Sequence, residues 1–482
     1  MGIPIFELTL DKWAKKFGPL YSMWLGNQLF VVVSEPQIVK DLVITNGAIF
    51  SSRKEMFMKS QIIFARRGIT ATPYDETWRK HRRLAAGFLS TKAVSNYVPG
   101  LELEVNEMIK QLYIQGKAGA LPINPSPHAG RTSLNNILTI AFGTRTDSIN
   151  HPLVAHWLMH SREFMYVNFQ RQIVIFDSDE TENRNCTGPV SNMVDFVPFL
   201  RRFPNLTMVN RGKKLHRGLV ETCSGLINDI ERHMKNGEDV PDCMAKYLLS
   251  VKEEESLDDL DIIFICCAFM IGGVETTAAI KQWFAAHIPA YPEIQARAHA
   301  ELDSVVGRDR LPTPEDEKNL PYIRAVIKEI ERVHNPFWLG TPHMSTEDFN
   351  YRGTFIPKNT VVILNTWTMH NDPKRFPEPE KFNPDRYLDD HFTNAESANL
   401  ADPMQRDHWM FGAGRRICPG IPLAEQEIFL AVAHMLWAFE MQQLPEEPID
   451  LNEYDGLSGR SPVPFHIKMI PRDEHVAEVL GL

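Results

Sequence analysis

The chain has 482 residues, of which 43% are hydrophobic and 23% are charged, a balance that is ordinary for a globular protein with a large core. The formal net charge of −10 argues against nucleic acid as a partner of the whole molecule. The six cysteines include no Cys-x-x-Cys pair, so the sequence indicates neither a disulfide framework nor a zinc finger, and a reducing compartment fits best.

The hydrophobic pattern predicts one mainly α-helical domain with small β-sheets, an α+β fold spanning residues 1–482. Residues 20–34 hold two apolar runs around Gly26 and predict a β-hairpin. Amphipathic helices are predicted from Glu76 onwards and through most of residues 95–290. Two polar stretches, residues 177–192 and 235–242, predict loops, and the glycosylation sequons at Asn185 and Asn205 are expected to be unused.

A long apolar helix is predicted from Ser256, as N-cap, to about Ile288, where Pro289 closes it. Strands are predicted within residues 351–364, followed by a proline-rich irregular segment and a last helix after Cys418. The longest apolar run, residues 262–274, is shorter than the ~20 residues that cross a bilayer. Because the N-terminus also lacks a signal-peptide pattern, no membrane span is predicted.

The most specific site in the sequence surrounds Cys418. The pattern F-x-x-G-x-R-x-C-x-G is matched at all of its fixed positions, which are Phe411, Gly414, Arg416, Cys418 and Gly420. A chance match in a chain of this length has a probability on the order of 10⁻⁴. A buried structural cysteine in a glycine-rich turn is the alternative, and the complete match disfavours it.

The composition of this segment suits a thiolate that binds a metal. Cys418 precedes a predicted helix, whose free N–H groups and positive end are expected to lower the pKa of the thiol. Glycines allow close approach of the backbone to a flat ring, and Arg416 offers a charge partner for a propionate. The segment resembles the haem-binding loop of the cytochromes P-450, a family in which a thiolate ligand favours O–O cleavage. The resemblance extends from about Trp13 to Pro464 and implies the cytochrome P-450 fold, with heme b bound through Cys418.

A second resemblance concerns a structural ion-pair cluster. Glu329 and Arg332 match E-x-x-R, and residues three apart on a helix share a face, so the two can pair. In the family this pair locks to an arginine of a later irregular segment, which corresponds here to Arg386. A solvated salt bridge on a helix surface is the alternative for an isolated E-x-x-R.

The segment 272–277, Gly-Gly-Val-Glu-Thr-Thr, lies in the long apolar helix and resembles the oxygen-activation motif of the family. The resemblance implies that Thr276 hydrogen-bonds dioxygen or a water in the oxygen site and that Glu275 relays protons from solvent. Gly272 stands where alanine is commoner in the family. A packing glycine pair at a helix crossing is the alternative.

Three further side chains are implied to contact the haem propionates: Trp78 and Arg82, four residues apart on one helix face, and His343. The basic run of residues 79–83 has two interpretations, a solvated helix face or part of a docking patch for an acidic reductase.

Membrane-anchored eukaryotic members begin with an anchor and a proline-rich hinge, whereas this chain resembles the family from just after the hinge. The absence of an anchor is expected to reflect truncation of an enzyme that natively lies on the cytosolic face of the endoplasmic reticulum membrane.

The leading functional prediction is a haem-dependent monooxygenase of secondary metabolism, monomeric, that receives electrons from NADPH–cytochrome P-450 reductase or cytochrome b5. It would hydroxylate, desaturate or oxidatively couple a small, mostly apolar molecule. The alternatives are a peroxide-using or rearranging haem-thiolate enzyme and a non-catalytic haem protein that binds a ligand. Substrate recognition is expected within residues 50–73, 164–204, 263–272, 337–341 and 457–462.

Overall fold

In the computed structural model, the described residues are 6–165, 193–203, 208–455 and 460–482. These residues form mainly α-helices, named here in chain order: α1 Phe6–Phe17, α2 Pro36–Val39, α3 Gly47–Phe50, α4 Glu76–Ala86, α5 Thr91–Gln115, α6 Ser126–Phe142, α7 Pro152–Met165, α8 Met193–Phe196, α9 Val209–Lys235, α10 Met244–Ser250, α11 Asp259–Gly273, α12 Glu275–His287, α13 Pro292–Val305, α14 Pro321–Val333, α15 Thr366–His370, α16 Asn394–Ser397, α17 Ile421–Ala438 and α18 His475–Leu480. The strands are short: β1 Leu20–Leu25, β2 Gln28–Val33, β3 His343–Met344, β4 Phe349–Tyr351, β5 Thr354–Ile356, β6 Val361–Leu364, β7 Phe439–Gln443, β8 Tyr454–Asp455, β9 Ser461–Pro462 and β10 Ile467–Pro471. The mainly helical fold with small sheets is therefore confirmed.

The main sheet has four strands in the order β1-β2-β6-β3. The predicted hairpin is confirmed, because β1 and β2 pair antiparallel from Leu20 opposite Val33 to Leu25 opposite Gln28. β6 joins β2 in parallel, and all four of its residues are buried, as expected for a continuous apolar run inside a sheet. β3 lies at the other edge of β6 and brings His343 to the end of the sheet.

The core of the molecule is built around α11 and α12. Residues 262–271 of α11 are buried on every side, a pattern that places a helix inside the protein rather than on its surface. α6, α9 and α17 pack around this central pair. Within the described part of the chain, Asp259–Ala290 has the length and apolarity of a membrane-crossing helix, but 83% of its most apolar stretch is buried in the protein.

Two features of the central helix differ from the prediction. The N-cap is Asp258 rather than Ser256: the Asp258 and Asp261 carboxylates accept each other's backbone N–H at 2.7 and 3.1 Å, and Ser256 lies in the preceding turn with φ +49°. The reciprocal capping box satisfies two free N–H groups, which one serine cannot do. The helix also ends at Gly273 and begins again at Glu275, so the predicted single helix is two.

Other local predictions can be compared with the structure. The helix predicted after Cys418 is α17 and the helix expected at Glu76 is α4, so these predictions are confirmed. The predicted loop 235–242 is confirmed from residue 236 onwards, since Lys235 is the last residue of α9. The strands predicted within residues 351–364 are β5 and β6, together with the last residue of β4. The polar stretch 177–192 and both sequons lie outside the described residues.

Candidate active site

A large cavity lies between the break of α11 and α12 on one side and the segment around Cys418 on the other. Its walls bring together seven of the predicted site residues from distant parts of the chain: Arg82, Thr276, His343, Phe411, Arg416, Cys418 and Gly420. Predicted residues Glu275, Trp78 and Gly414 do not line it. One cavity therefore collects both the cysteine motif and the central helix motif.

The loop that carries Cys418 is fixed by its backbone. The Cys418 N–H donates to the Phe411 carbonyl at 2.9 Å, which closes the loop. Gly414 adopts φ +64°, and a Cβ there would stand 2.3 Å from the carbonyl oxygen of Val43. Glycine is thus required at this position both by conformation and by space. Gly420 lies next to the sulfur, where a Cβ would be 3.8 Å from Sγ.

The protonation of Cys418 differs from the sequence expectation. Burial raises the pKa of the thiol, and the backbone N–H of Gly420 and the charge of Arg82 only partly offset it. The expected net lowering by the start of α17 is wrong for the protein alone, because desolvation of the thiolate outweighs one hydrogen bond and one nearby cation. A thiolate at this place needs a further positive partner, and a metal ion supplies one.

Three arginines converge on the same cavity, two of them buried and Arg82 half-buried, and none has a carboxylate partner among the described residues. Arg416 donates to carbonyl oxygens of residues 69, 70 and 72, the shortest at 3.0 Å, while its Nη1 has no partner. Arg82 donates to the Ile417 carbonyl at 2.5 Å. Arg53 donates to the Thr341 carbonyl and its Nε has no partner. Burial lowers the pKa of Arg416 to about 9, and the charge of Arg82 adds to the effect.

Arg53 was not predicted from the sequence. It follows two serines after α3 and belongs to no spaced motif, so only its position in the predicted recognition segment 50–73 hinted at a role. In the fold it is 7% exposed, and burial, with the charge of Arg416 adding to the effect, lowers the pKa of its guanidinium well below the usual value. Such clusters of like charge are stable only when an anion joins them.

His343 and Trp78 support this cationic region in different ways. His343 is buried on β3, and its Nδ1 lies 2.8 Å from the Phe50 carbonyl. A carbonyl only accepts, so Nδ1 carries the proton and Nε2 is free to contact a ligand. Burial lowers the pKa of His343 well below its usual value, with Arg53 and Arg416 adding to the effect. Trp78 stands behind the wall: its indole N–H donates to Ile69 at 3.0 Å, and the Arg416 guanidinium lies over its ring at 4.4 Å.

At the break of the central helix, the two predicted glycines have different surroundings. A Cβ on Gly272 would meet nothing within 4 Å, because this residue faces the cavity. A Cβ on Gly273 would stand 2.4 Å from Ile137 Cδ1 of α6, so this glycine serves helix packing. The hydroxyl of Thr276 donates to the Gly272 carbonyl at 2.6 Å and lines the cavity. Gly272 therefore has open space beside it, whereas Gly273 packs against α6.

Glu275 points away from the cavity and towards α7. Its side chain is 4% exposed, and its Oε1 has no hydrogen-bond partner. Burial raises the pKa of Glu275 to about 7 and outweighs the opposing charge of Arg162 and the nearby Ser161 hydroxyl. The carboxyl can therefore gain and lose a proton near neutral pH, and two of the groups that act on it, Ser161 and Arg162, belong to α7.

The predicted ion-pair cluster is assembled behind the cavity. Both carboxylate oxygens of Glu329 accept from Arg332 at 2.7 Å, and Oε1 also accepts from Arg386 Nε at 3.2 Å. Glu329 and Arg332 are 0 and 1% exposed. The guanidinium of Arg332 further donates to the carbonyls of His370 and Pro379 at 3.0 Å. A bidentate pair with these extra hydrogen bonds ties α14 to the irregular segment, which differs from an exposed helix salt bridge.

Comparison with known proteins identifies the family. A family model described as "Cytochrome P450" matches residues 5–469. The chain belongs to the cytochrome P450 family. It is 31% identical over 483 residues to the cytochrome P450 monooxygenase fogE of Aspergillus ruber, covering 98% of this chain and 85% of that protein. It is 32% identical over 482 residues to the cytochrome P450 monooxygenase virE of Hypocrea virens, covering 97% of this chain and 82% of that protein.

A solved structure supports the fold independently. A zebrafish cytochrome P450 determined with abiraterone aligns with a TM-score of 0.76 at 23% identity, over 97% of this chain and 99% of that one. As a member of the P450 family with monooxygenase relatives, the protein is an oxidoreductase, a haem-thiolate monooxygenase that uses a redox partner and a small-molecule substrate.

The residues of this P450 fit a haem. A dianionic porphyrin edge needs cations, and Arg53, Arg82 and Arg416 supply three that have no carboxylate partner among the described residues. Arg53 and Arg416 are buried, and each has one guanidinium nitrogen without a hydrogen-bond partner. Cys418 lies in the same cavity and lacks only a cation to hold its negative charge. The donor set is a thiolate and guanidinium groups, which suits a metal porphyrin.

The basic run on α4 of the P450 is divided by the fold. Arg83 pairs with Glu255 at 2.6 Å, Lys80 donates to the Glu255 carbonyl, and Arg82 is directed inward. His81 is buried against Asp261. Arg79 remains exposed beside Tyr74, and Arg415 of the cysteine loop donates to the same tyrosine hydroxyl at 2.9 Å. The run is thus not one solvated face. Its exposed Arg79 lies beside the exposed Arg415, because both arginines contact Tyr74.

Most of the predicted recognition segments contribute to the P450 cavity. Residues of the segments 50–73, 263–272 and 337–341 line it, and Phe164 and Asp195 do so for the described part of 164–204. The described part of 457–462 does not line it, because Arg460 is bound to the Glu7 carboxylate and its carbonyl accepts from Trp283. The walls are largely apolar, with Phe269 and Phe337 among the aromatic contributors.

Proposed function

We propose that this P450 is a reductase-dependent monooxygenase that binds heme b through Cys418 and oxidises a small, mostly apolar molecule in secondary metabolism. The single observation that carries the proposal is that one cavity holds the cysteine, three uncompensated arginines and the broken central helix. The fungal monooxygenase relatives agree with it.

Cys418 would bind the haem iron, and Arg53, Arg82 and Arg416 would bind the propionates. Phe411, Gly414 and Gly420 would shape the loop that carries Cys418. Trp78 would orient Arg416 by stacking rather than reach the propionate itself. His343 would donate from Nε2 to a propionate only as an imidazolium, since its Nδ1 proton already goes to the Phe50 carbonyl. When bound, thiolate-ligated haem supplies the activation of dioxygen and the transfer of one oxygen atom.

The protein's own groups at the break of the central helix would manage protons. Thr276 presents its hydroxyl to the cavity, held by the Gly272 carbonyl. Glu275, next to it, carries a carboxyl whose pKa of about 7 lets it accept and release protons at working pH. Glu329, Arg332 and Arg386 would act structurally, by fixing the segment that precedes the cysteine loop.

Electrons would come from NADPH–cytochrome P450 reductase or cytochrome b5, docked beside the exposed Arg79 and Arg415. An acidic partner surface complements these cations and speeds encounter. The native enzyme would act as a monomer and a single domain on the cytosolic face of the endoplasmic reticulum membrane. Exposed aromatic side chains support contact with a lipid surface, with Trp24 68%, Phe199 60% and Phe17 58% exposed.

The test is reconstitution of the haem-loaded protein with NADPH, a fungal NADPH–cytochrome P450 reductase and isotopically labelled dioxygen. Naphthalene, dodecan-1-ol and dodecanoic acid serve as probes of apolar and aromatic character. We expect consumption of dioxygen that requires the reductase, and label in any oxidised probe. In Thr276→Ala and Glu275→Gln, less product is expected per NADPH consumed, because proton supply is impaired while haem binding is not.

Two results would contradict the proposal. Oxidation with hydrogen peroxide alone, unaffected by the reductase, would identify a peroxide-using enzyme. Haem-loaded protein that consumes no dioxygen when reductase and NADPH are present would identify a ligand-binding haem protein.

A further inference from the structure

Lys59 is a cation in the cavity wall that the proposed haem site does not use. It lies in the π-helical segment Phe57–Ile63, and its Nζ is 5.5 Å from the centre of the Phe164 ring, across the cavity roof. Within residues 6–165, 193–203, 208–455 and 460–482 its ammonium group makes no hydrogen bond or ion pair. Its neighbour in the wall, Lys54, donates instead to Gln28 Oε1 at 2.6 Å. Of the two lysines, Lys59 is therefore the one whose ammonium group has no hydrogen-bond partner among the described residues.

The acidic side chains of the same cavity do not neutralise Lys59. Asp195 accepts the backbone N–H of Met58 at 2.9 Å, and Lys54 and Arg201 are the cations that act on its charge. Glu427 is paired with Lys281 at 3.2 Å. Burial lowers the pKa of Lys59 to about 8, so the group is still mostly protonated at neutral pH.

A haem would not neutralise Lys59 either. Two propionates would meet three arginines, Arg53, Arg82 and Arg416, which already exceed them in charge. Lys54 and Lys59 are two further cations of the wall, and the Lys59 ammonium contacts Phe164 of α7 in a predicted recognition segment. Lys59 is half-buried, and an ammonium held without a partner in an apolar wall loses part of its hydration, which favours an anionic ligand that enters and leaves.

We propose that Lys59 binds an anionic group of the substrate, a carboxylate, and that the enzyme therefore oxidises an apolar carboxylic acid. This inference rests on the proposed function and adds the substrate class. The ammonium would donate to the carboxylate, and the apolar remainder would contact the aromatic walls from Phe164 to Phe269 and Phe337. A charge-assisted hydrogen bond in a water-poor cavity discriminates strongly between an acid and its ester.

The test uses probes whose binding does not depend on the natural substrate. N-alkylimidazoles with tails of about four to twelve carbons, each ending in a carboxylate or its methyl ester, coordinate the haem iron and carry the tail into the cavity. The dissociation constants are read from the shift of the Soret band at neutral pH, without turnover. At the best tail length the acid should bind the wild-type protein at least about ten-fold more tightly than its ester.

The variants assign the preference to one side chain. Lys59→Gln should reduce the acid-to-ester ratio to within about two-fold, and Lys59→Arg should retain most of it. Lys54→Gln is the matched control, a lysine of the same wall with a protein partner, and should leave the ratio unchanged. No acid preference at any tail length, or a preference that survives Lys59→Gln, would overturn the proposal. Failure of the proposed function would look different, because it appears as dioxygen consumption that does not require the reductase, or as none at all, whereas the acid-to-ester ratio is measured without turnover.

Discussion

Replacement of Glu275 by glutamine tests whether burial governs the proton affinity of this carboxyl. Its pKa is raised from the ordinary 4.5 to about 7. The native state therefore binds more protons than the unfolded state between these two pH values, and the stability of the wild-type protein falls as pH rises through that window. Below this window the carboxyl is protonated in both states and does not lower the stability. Above it the native state holds a buried carboxylate, which lowers the stability.

The expected magnitude follows from the shift. With ~1.4 kcal/mol per pKa unit, wild type should lose about 2.5 kcal/mol relative to Glu275→Gln between about pH 5 and about pH 8. An unfolding entropy of ~2 cal/mol/K per residue converts this to about 2 to 3 °C in Tm for a chain of this length. The variant should thus melt higher than wild type at the alkaline end, and nearly equally at the acid end.

The assay is thermal unfolding of haem-loaded wild type and variant over this pH range, at one fixed scan rate. Glu293→Gln, on the exposed surface of α13, is the control and should follow wild type at every pH. If Glu275→Gln also follows wild type, the carboxyl is not held in the buried, largely uncompensated environment described here.

Three further substitutions test the architecture of the site. Arg332→Met should lower the free energy of unfolding by about 3 to 5 kcal/mol, since it leaves a buried carboxylate short of its main partner, whereas Arg297→Met, in a half-exposed pair, should change it by less than about 1 kcal/mol; equal urea midpoints would contradict this. Gly414→Ala should abolish haem retention through strain and backbone contact, with Gly100→Ala, which meets nothing within 4 Å, loading normally; normal loading of the first variant would refute the requirement for glycine. Arg416→Met should raise the stability of the haem-free protein while speeding haem loss to apomyoglobin, because the side chain is a buried cation that only the propionate compensates; a loss of stability in both forms would show that it is a structural residue instead.

Short-range patterns in the sequence were enough to predict much of the structure. The hairpin of β1 and β2, the helix after Cys418 and the pairing geometry of Glu329 with Arg332 depend on residues close together in the chain. Proximity of the Cys418 loop to the central helix followed from family resemblance rather than from periodicity. These features were predictable because they depend on neighbouring residues or on a motif with many fixed positions.

Effects of burial and long-range packing were not predictable. The thiol pKa was expected to fall because the start of a helix is visible in the sequence, whereas the desolvation that raises it is not. Arg53 and Lys59 belong to no motif, and only the fold shows that both face the cavity. The N-cap at Asp258 was missed because serine and aspartate are both good N-cap residues, and the sequence alone does not show that Asp258 pairs reciprocally with Asp261.

The most direct test of the central claim is the carbon monoxide difference spectrum of the freshly purified, dithionite-reduced protein. Ligation by the Cys418 thiolate predicts a strongly red-shifted Soret band, and Cys418→Ser should lose that band. A Soret band at the shorter wavelength typical of neutral or histidine ligation in well-folded wild-type protein, or no bound haem, would contradict the account.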